Sequence, residues 1–200
     1  MADQLTEEDI KNMSPEELAE LQRKNCIFCH IVSGRVPAKK IYEDDKVLAI
    51  LDIYPATVGH LLLVTKEHYA IMPQVPEQTI AHIGMVAKAL SQALLKGLEI
   101  KSTNVFIANG AVAGQKAPHF MIHIIPRKEN DGINLQWKPK QLTQEEISTV
   151  ELKLKESIKD SGVERIEKTE KPKIVHERPN VEPITDDEDD YISRQMRRIP

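Results

Sequence analysis

The hydrophobic pattern predicts a domain of mixed helices and strands between residues 25 and 139. Three runs rich in Ile, Val, Leu and Tyr predict strands at 40–44, 46–53 and 61–65, with turn residues between them. Apolar residues then recur at helical spacing from Ile80 to Leu98, which predicts a helix of about 20 residues beginning at Pro76. Two further runs, 104–108 and 118–126, predict strands on either side of a loop of small residues.

The two ends of the chain differ from this central part. Thr6 and Ser14 each precede an acidic residue by three positions, which predicts two short helices in a charged N-terminal extension, residues 1–24. Thr143 has the same spacing to Glu146 and predicts an amphipathic helix within residues 140–160. Residues 161–200 are charged, contain prolines and have few large apolar side chains, so we expect a disordered tail. Its acidic run, 185–190, is typical of a solvated segment; the alternative is a docking peptide for a protein partner.

Composition excludes several classes of partner. The chain is 40% hydrophobic and 29% charged, an ordinary mixture for a globular protein, and its net charge is −4. This charge provides no basic footprint for nucleic acid or for an anionic membrane. No apolar run approaches transmembrane length, and the acidic N-terminal segment does not resemble a secretion signal. These features predict a cytoplasmic protein without nucleic-acid or membrane partners.

The only cysteines, Cys26 and Cys29, form a CxxC motif that is followed directly by His30. CxxCH is the attachment pattern of haem c, but that chemistry needs export, for which we find no signal. A thioredoxin-type redox pair would need a βαβ context, which is also missing. A zinc site would need two further nitrogen or sulfur donors, for which His68 and His119 are the candidates.

His119, Met121 and His123 alternate along a predicted strand, and alternate side chains of a strand lie on one face. Two imidazoles on one face indicate a site, although a thioether lies between them. His60, at the start of another strand, is by itself more typical of a buried, hydrogen-bonded histidine. Asp52, at an apolar strand end, would either cap a turn or accept hydrogen bonds from ligand hydroxyls, and the residues alone favour the cap.

Two other histidines have no predicted role. His82 lies off the apolar stripe of its helix and is predicted to be solvated, and His176 lies in the tail.

Taken in order, these motifs resemble the histidine triad (HIT) family in its CxxC-bearing branch, over roughly residues 25–130. The matching segments are 26–29, 41–45, 48–53, 59–60, 66–68 and 113–127. The resemblance implies an α+β fold with a five-stranded antiparallel sheet and one main helix. It also implies a homodimer whose two sheets are continuous, and binding of purine nucleotides, with the adenosine type favoured. Members transfer nucleotidyl groups through a nucleotidyl-histidine intermediate.

The resemblance also implies roles for individual residues. Ile27, Phe28, Ile31, Ile50 and Ile53 would form the walls of a base pocket, and Asp52 would accept the ribose hydroxyls. His60, Gln115 and His123 would face the phosphates and the leaving group, and Lys116 could strengthen the attraction of phosphate. Asn109 is a further residue predicted to bind the nucleotide. A structural zinc ion would be held by Cys26, Cys29, His68 and His119.

Three positions depart from the family pattern. Met121 stands where the middle histidine of the triad, the nucleophile, is found, and a thioether can neither take up a proton nor form a sensible phosphorus adduct. Lys116 replaces a Ser or Thr that bonds the phosphate in many members, and Ala108 replaces an Asn or Gln. We therefore predict a nucleotide-binding protein that is weakly active or inactive.

Two alternatives remain at this stage. One is an active hydrolase of dinucleoside polyphosphates or phosphoramidates that uses His123 or His119 instead of the missing nucleophile. The other is a scaffold whose acidic tail is the interacting element.

Overall fold

The computed structural model describes residues 12–160. Its strands form one five-stranded sheet in which all neighbours are antiparallel, in the order β1-β2-β3-β5-β4. The strands are β1 (Lys40–Glu43), β2 (Val47–Leu51), β3 (Leu61–Thr65), β4 (Ser102–Phe106) and β5 (Met121–Arg127). This architecture confirms the predicted α+β fold with a five-stranded antiparallel sheet.

The α-helices with both ends within residues 12–160 are α1 (Pro15–Asn25), α2 (Ile27–Val32), α3 (Glu77–Gly97) and α4 (Gln144–Asp160). The capping box predicted at Ser14 is present, because the Ser14 hydroxyl accepts from the Glu17 N–H and the Glu17 carboxylate accepts from the Ser14 N–H. No helix within residues 12–160 combines the length and the apolarity needed to cross a bilayer. The helix predicted from Thr6 and the tail 161–200 lie outside the described residues.

β2 and β3 are buried on both faces of the sheet, which explains why they are continuous apolar runs rather than alternating ones. One face contributes alternate residues such as Val47, Leu63 and Ile124 to a core that is completed by the apolar stripe of α3. The other face contributes Leu48, Ile50, Leu62 and Val64, which pack with Ile31 of α2. Burial of each large side chain stabilises the fold by about 1.5–3 kcal/mol. Two helices on opposite faces therefore hold β2 and β3 in place.

β5 begins at Met121, three residues later than the sequence predicts. The N–H of His119 donates to the carbonyl of Ala117, and the N–H of Phe120 donates to the carbonyl of Tyr69. His119 therefore lies in a turn before the strand, and the prediction that it shares a strand with Met121 and His123 is wrong. In β5 itself, buried residues alternate with half-buried ones, so Met121 and His123 lie on the same face.

His82 is not solvated as predicted. Its Nε2 lies 2.7 Å from Oδ2 of Asp44, an oxygen that also accepts the Tyr42 hydroxyl at 2.7 Å. Together with backbone hydrogen bonds, these side-chain bonds hold the pKa of Asp44 below its usual value, against the opposing effect of burial. The pair connects α3 to the turn between β1 and β2.

Residues after Gln136 belong to a second unit. In it, α4 begins with a capping box in which Thr143 and Glu146 bond each other's backbone N–H groups. The helix 144–160 lies where the sequence predicts it. The full division into four segments stays a prediction.

Candidate functional site

Cys26, Cys29, His68 and His119 converge on one point. One ligand atom of each lies within 4.8 Å of those of the other three. Cys26 Sγ is 3.4 Å from His119 Nδ1, and Cys29 Sγ is 3.3 Å from His68 Nδ1. At a tetrahedral zinc ion, bonds of about 2.3 Å to sulfur and about 2.05 Å to nitrogen place the two atoms about 3.6 Å apart. The four residues could therefore hold a metal ion.

Three chain segments supply these ligands. Cys26 lies at the junction of α1 and α2, where its N–H donates to the carbonyl of Arg23 and ends α1. Cys29 follows one turn later on α2, since residues three apart lie on neighbouring positions of a helix. His68 comes after β3 and His119 comes before β5, and these strands are neighbours in the sheet. The sheet and α2 thus bring together residues more than 90 positions apart.

The donor chemistry also fits a metal ion. His119 Nε2 lies 2.8 Å from the carbonyl of Thr65, so Nε2–H donates and Nδ1 keeps its lone pair towards the sulfur atoms. Burial lowers the pKa of His119 to about 4, which favours the neutral imidazole that binds metals. Burial raises the pKa of the Cys29 thiol to about 11, and a bound cation would reverse this effect by stabilising the thiolate. His68 Nε2 is buried and has no hydrogen-bond partner within residues 12–160.

A second cluster joins two imidazoles by a hydrogen bond. His60 is buried at the entry to β3, and the N–H of Ala56 donates to its Nδ1 at 3.2 Å. Since Nδ1 accepts, we assign the proton of His60 to Nε2, which lies 3.0 Å from Nδ1 of His123. His123 accepts that bond and therefore carries its own proton on Nε2. The pair presents an N–H donor at its outer end.

Burial lowers the pKa of both His60 and His123, so both imidazoles are neutral near pH 7. His60 adds to this lowering for His123, while the carboxylate of Asp52 opposes it for both. Asp52 Oδ2 is 3.3 Å from Nδ1 of His60, and Oδ1 accepts from the N–H of Tyr54 at 3.0 Å. Asp52 thus caps a turn, as the residues alone predict, and one of its oxygens still faces His60.

Phe106 contacts His123 and was not predicted as a site residue. The two residues pair in register between β4 and β5, and their ring centroids are 5.9 Å apart. The sequence could not predict this contact, because it depends on the register between β4 and β5, and neither strand's own sequence determines that register.

The residues predicted to form the base pocket divide into two groups. Ile31 and Ile50 are buried in the apolar cluster beneath α2, against which Phe28 and Met121 also pack. Ile27 and Ile53 lie outside that cluster and are 48% and 82% exposed. Met121 is therefore on the same side of the sheet as most of the predicted pocket.

Two residues predicted to bind the nucleotide hold the loop before β5. Gln115 Oε1 accepts from the N–H of Gly110 at 2.7 Å, and its Nε2 donates to the carbonyl of Ala70 at 2.6 Å. Asn109 Oδ1 accepts from the N–H of Met72 at 2.9 Å. Lys116 lies in the same loop and is exposed. Contact of these residues with a ligand stays a prediction.

Comparison with known proteins gives consistent matches. The family model of the HIT domain matches residues 33–130. Adenylylsulfatase HINT3 of Arabidopsis thaliana is 41% identical over 109 residues, 54% of this chain and 55% of that protein, so the chain spans about half of that relative. Adenosine 5'-monophosphoramidase hnt1 of Schizosaccharomyces pombe is 36% identical over 136 residues, 68% of this chain and 99% of that protein.

A solved structure extends the comparison to the fold. The structure of a Zn-bound histidine triad family protein from Mycobacterium smegmatis matches with a TM-score of 0.54 and 33% identity, over 68% of this chain and 99% of that one.

Proposed function

Because the chain belongs to the HIT family, whose members bind nucleotides, we propose that it binds a purine nucleotide of the adenosine type and has little or no nucleotidyl-transfer activity. The observation that carries this proposal is the hydrogen-bonded His60–His123 pair, whose His123 lies on the same face of β5 as Met121. With the tautomers assigned above, the pair ends in an N–H donor. A donor at this place stabilises a phosphate, whereas catalysis by the family's route needs a nitrogen lone pair.

Binding rests on groups that the fold holds in place. The apolar cluster with Phe28 and Ile31 offers a surface for a base, and Asp52 lies at the end of β2 beside His60. His123 Nε2–H would donate to a phosphate oxygen, and the exposed ammonium of Lys116 would attract the phosphate charge. The ribose contact of Asp52 would use the oxygen that now faces His60.

The alternative nucleophiles have unfavourable positions. His119 is fully buried, and both of its ring nitrogens face protein atoms, with Thr65 on one side and the cysteines on the other. His123 could attack phosphorus through Nε2 only after the protons of the His60–His123 pair were rearranged. The neutral pair with its proton outward therefore favours binding over covalent transfer.

We further propose that the metal is zinc and that its role is structural. Two thiolates and two imidazoles form a closed ligand set with no position left for water, which is typical of structural zinc. In this role Cys26, Cys29, His68 and His119 would fix α2, and hence Phe28 and Ile31, against the sheet.

A homodimer and a cytoplasmic location complete the proposal. Within residues 12–160, β4 is an edge strand that pairs on one side only, and Val105 and Phe106 on it are 53% and 43% exposed. Unpaired edge strands with apolar side chains are suited to pairing with a second copy. The cytoplasmic location rests on the sequence alone, and a partner for the acidic tail concerns residues outside the described part of the chain.

Calorimetry with AMP, together with a turnover assay on an AMP phosphoramidate and a dinucleoside polyphosphate, tests the proposal. We expect saturable binding of AMP and turnover far below usual enzyme rates. Asp52→Ala should weaken AMP binding at least tenfold, whereas Asp45→Ala, which removes a carboxylate from a neighbouring turn, should not. Rapid turnover, with a histidine-linked nucleotidyl adduct in mass spectra of the quenched reaction, would establish an active enzyme instead. Absence of AMP binding would reject both the binding protein and the enzyme.

A further inference from the structure

A cavity of about 340 Å³ lies on the side of α2 that faces the last turns of α1. Its volume is within the range of small-molecule sites. Cys29 of α2 and Ser33, the residue just after it, line the cavity, whereas Phe28 and Ile31 pack into the apolar cluster. His68 lines it as well, so two of the four residues that could hold a metal ion form part of its wall. The cavity and the proposed base pocket therefore lie against different faces of the same helix.

The lining of this cavity has an excess of positive charge. Four cationic side chains and two carboxylates contribute to it: Arg23, Lys24, Arg35, Lys66, Glu20 and Glu67. An excess of charge of one sign along a cleft raises the local concentration of ligands of the other sign. Which of these cations is free to act on a ligand depends on the ion pairs that they form.

Ion pairs account for two of the cations. Nζ of Lys24 lies 2.9 Å from Oε1 of Glu20. Nζ of Lys66 lies 2.9 Å from Oε1 of Glu43, a residue that does not line the cavity. Both oxygens of Glu67 have partners. Nη2 of Arg23 lies 3.6 Å from Oε1, and the hydroxyl of Tyr69 donates to Oε2 at 2.9 Å. Each carboxylate of the lining thus has a cationic partner in the lining, and the four cations exceed the two carboxylates by two positive charges.

Arg35 is the cation that remains. Its Nε donates to the hydroxyl of Ser33 at 3.1 Å, and within residues 12–160 it has no carboxylate partner. Arg23 is held only by the long contact to Glu67. The planar forks of two guanidinium groups are thus available at one cavity, and such forks match the geometry of phosphate oxygens.

We propose that this cavity is a second ligand site, which binds a small oxyanion of the phosphate class through Arg23 and Arg35. The anion is either free phosphate or pyrophosphate, or the phosphate group of a larger ester. The site is distinct from the nucleotide site proposed above and does not depend on it, because none of the residues assigned to base, ribose or phosphate lines this cavity.

Calorimetric titration of the full, zinc-loaded chain with inorganic pyrophosphate at low ionic strength tests the proposal. We expect saturable binding that weakens at least tenfold in Arg35→Gln and in Arg23→Gln. Lys88→Gln, on the exposed side of α3, removes the same charge elsewhere and should leave binding unchanged. Circular dichroism and zinc content should be unaltered in all three variants, because the substituted side chains are exposed.

Three results would overturn the second site: no binding by the wild type, equal weakening by Lys88→Gln, or loss confined to Lys116→Gln, which would assign the anion to the nucleotide site. A parallel titration with AMP separates the two proposals, since Arg35→Gln should retain AMP binding if the sites are independent. The Asp52→Ala variant also separates the two sources of phosphate. If this variant binds AMP more tightly than pyrophosphate, and if adding Arg35→Gln removes that AMP binding, the ligand is a phosphate ester rather than free phosphate.

Discussion

Met121 lies beside a hydrogen-bonded pair of imidazoles, and its side chain limits what that pair can do to a phosphate. A thioether is apolar and polarisable, so it packs well against the cluster beneath α2, as Phe28 also does. It provides no basic nitrogen. In covalent enzymes, loss of the nucleophile costs up to about 10⁶ in kcat, equivalent to about 8 kcal/mol of barrier. The neighbouring donors can offset only part of that loss.

Restoring an imidazole at this position should therefore create activity. We expect Met121→His to raise hydrolysis of an AMP phosphoramidate at least about 100-fold, because the new nucleophile would act beside the existing N–H of His123. Met121→Gln, which has a similar volume but no nucleophilic nitrogen, is the control and should change little. A wild-type rate that is already high and is unaffected by Met121→His would contradict the proposed inactivity. Steady-state assays on the three proteins decide between these outcomes.

The link between β2 and β3 depends on a glycine that admits no side chain. Gly59 has φ +91°, and a Cβ there would lie 2.4 Å from Cδ1 of Leu98 and 3.3 Å from Cγ of Pro126. We expect Gly59→Ala to destabilise the protein and to displace the adjacent His60, so that AMP binding weakens as well.

Gly84 supplies the control for that substitution. It lies in α3 without a positive φ, and a Cβ added there would meet no atom of another element within 4 Å. Alanine should therefore fit at this position and should favour the helix by about 1 kcal/mol. The urea concentration at the midpoint of unfolding should fall in Gly59→Ala and rise in Gly84→Ala. If Gly59→Ala and the wild type had the same urea midpoint of unfolding, the close packing at the turn between β2 and β3 would not contribute to stability.

Elements with a long apolar run or a repeated apolar period were predictable from the sequence. Short elements, and boundaries that depend on contacts between distant segments, were not. The apolar runs of β2 and β3 and the helical period of α3 appear where the sequence predicts them. α2 was missed because six residues cannot display a helical period. The start predicted for β5 was too early because Phe120 bonds Tyr69 rather than a neighbouring strand residue, a contact between distant segments.

The candidate site shows the same division. The four residues that could hold a metal ion lie together as the family resemblance implies, although spacing alone could not select His68 and His119. The contact of Phe106 with His123 and the bond of His82 to Asp44 depend on strand register and on helix packing. Neither relation is encoded in the local sequence around those residues.

At the scale of the molecule, the proposed zinc site would connect α2 to the ends of two neighbouring strands of the sheet, β3 and β5. Because metal binding is coupled to folding, removal of zinc should lower the melting temperature and reduce AMP binding through displacement of α2. Treatment with a strong chelator followed by calorimetric melting measures the first effect, and restoring zinc should reverse it. Cys29→Ser should reproduce the metal-free protein, while Ser33→Ala, just after the same helix, should bind zinc normally. Unchanged melting after complete removal of the metal would contradict a structural role.

The buried imidazoles also make stability depend on pH. In the folded protein the pKa values of His60 and His123 are lowered, mainly by burial, while an unfolded histidine titrates near about 6.5. Below that pH the unfolded chain binds more protons than the folded one. The free energy of unfolding is therefore fully retained above about pH 6.5 and falls as the pH decreases through the lowered pKa values.

Urea unfolding of the zinc-loaded protein at pH 7.5 and at pH 5.5 should show this fall. In the double variant His60→Gln and His123→Gln, the two titrating groups are absent, so the difference between the two pH values should shrink even if overall stability is lower. His176→Gln removes one imidazole outside the described residues and should leave the difference unchanged. A double variant with the full wild-type pH dependence would show that protonation elsewhere, and not at the paired imidazoles, destabilises the fold in acid.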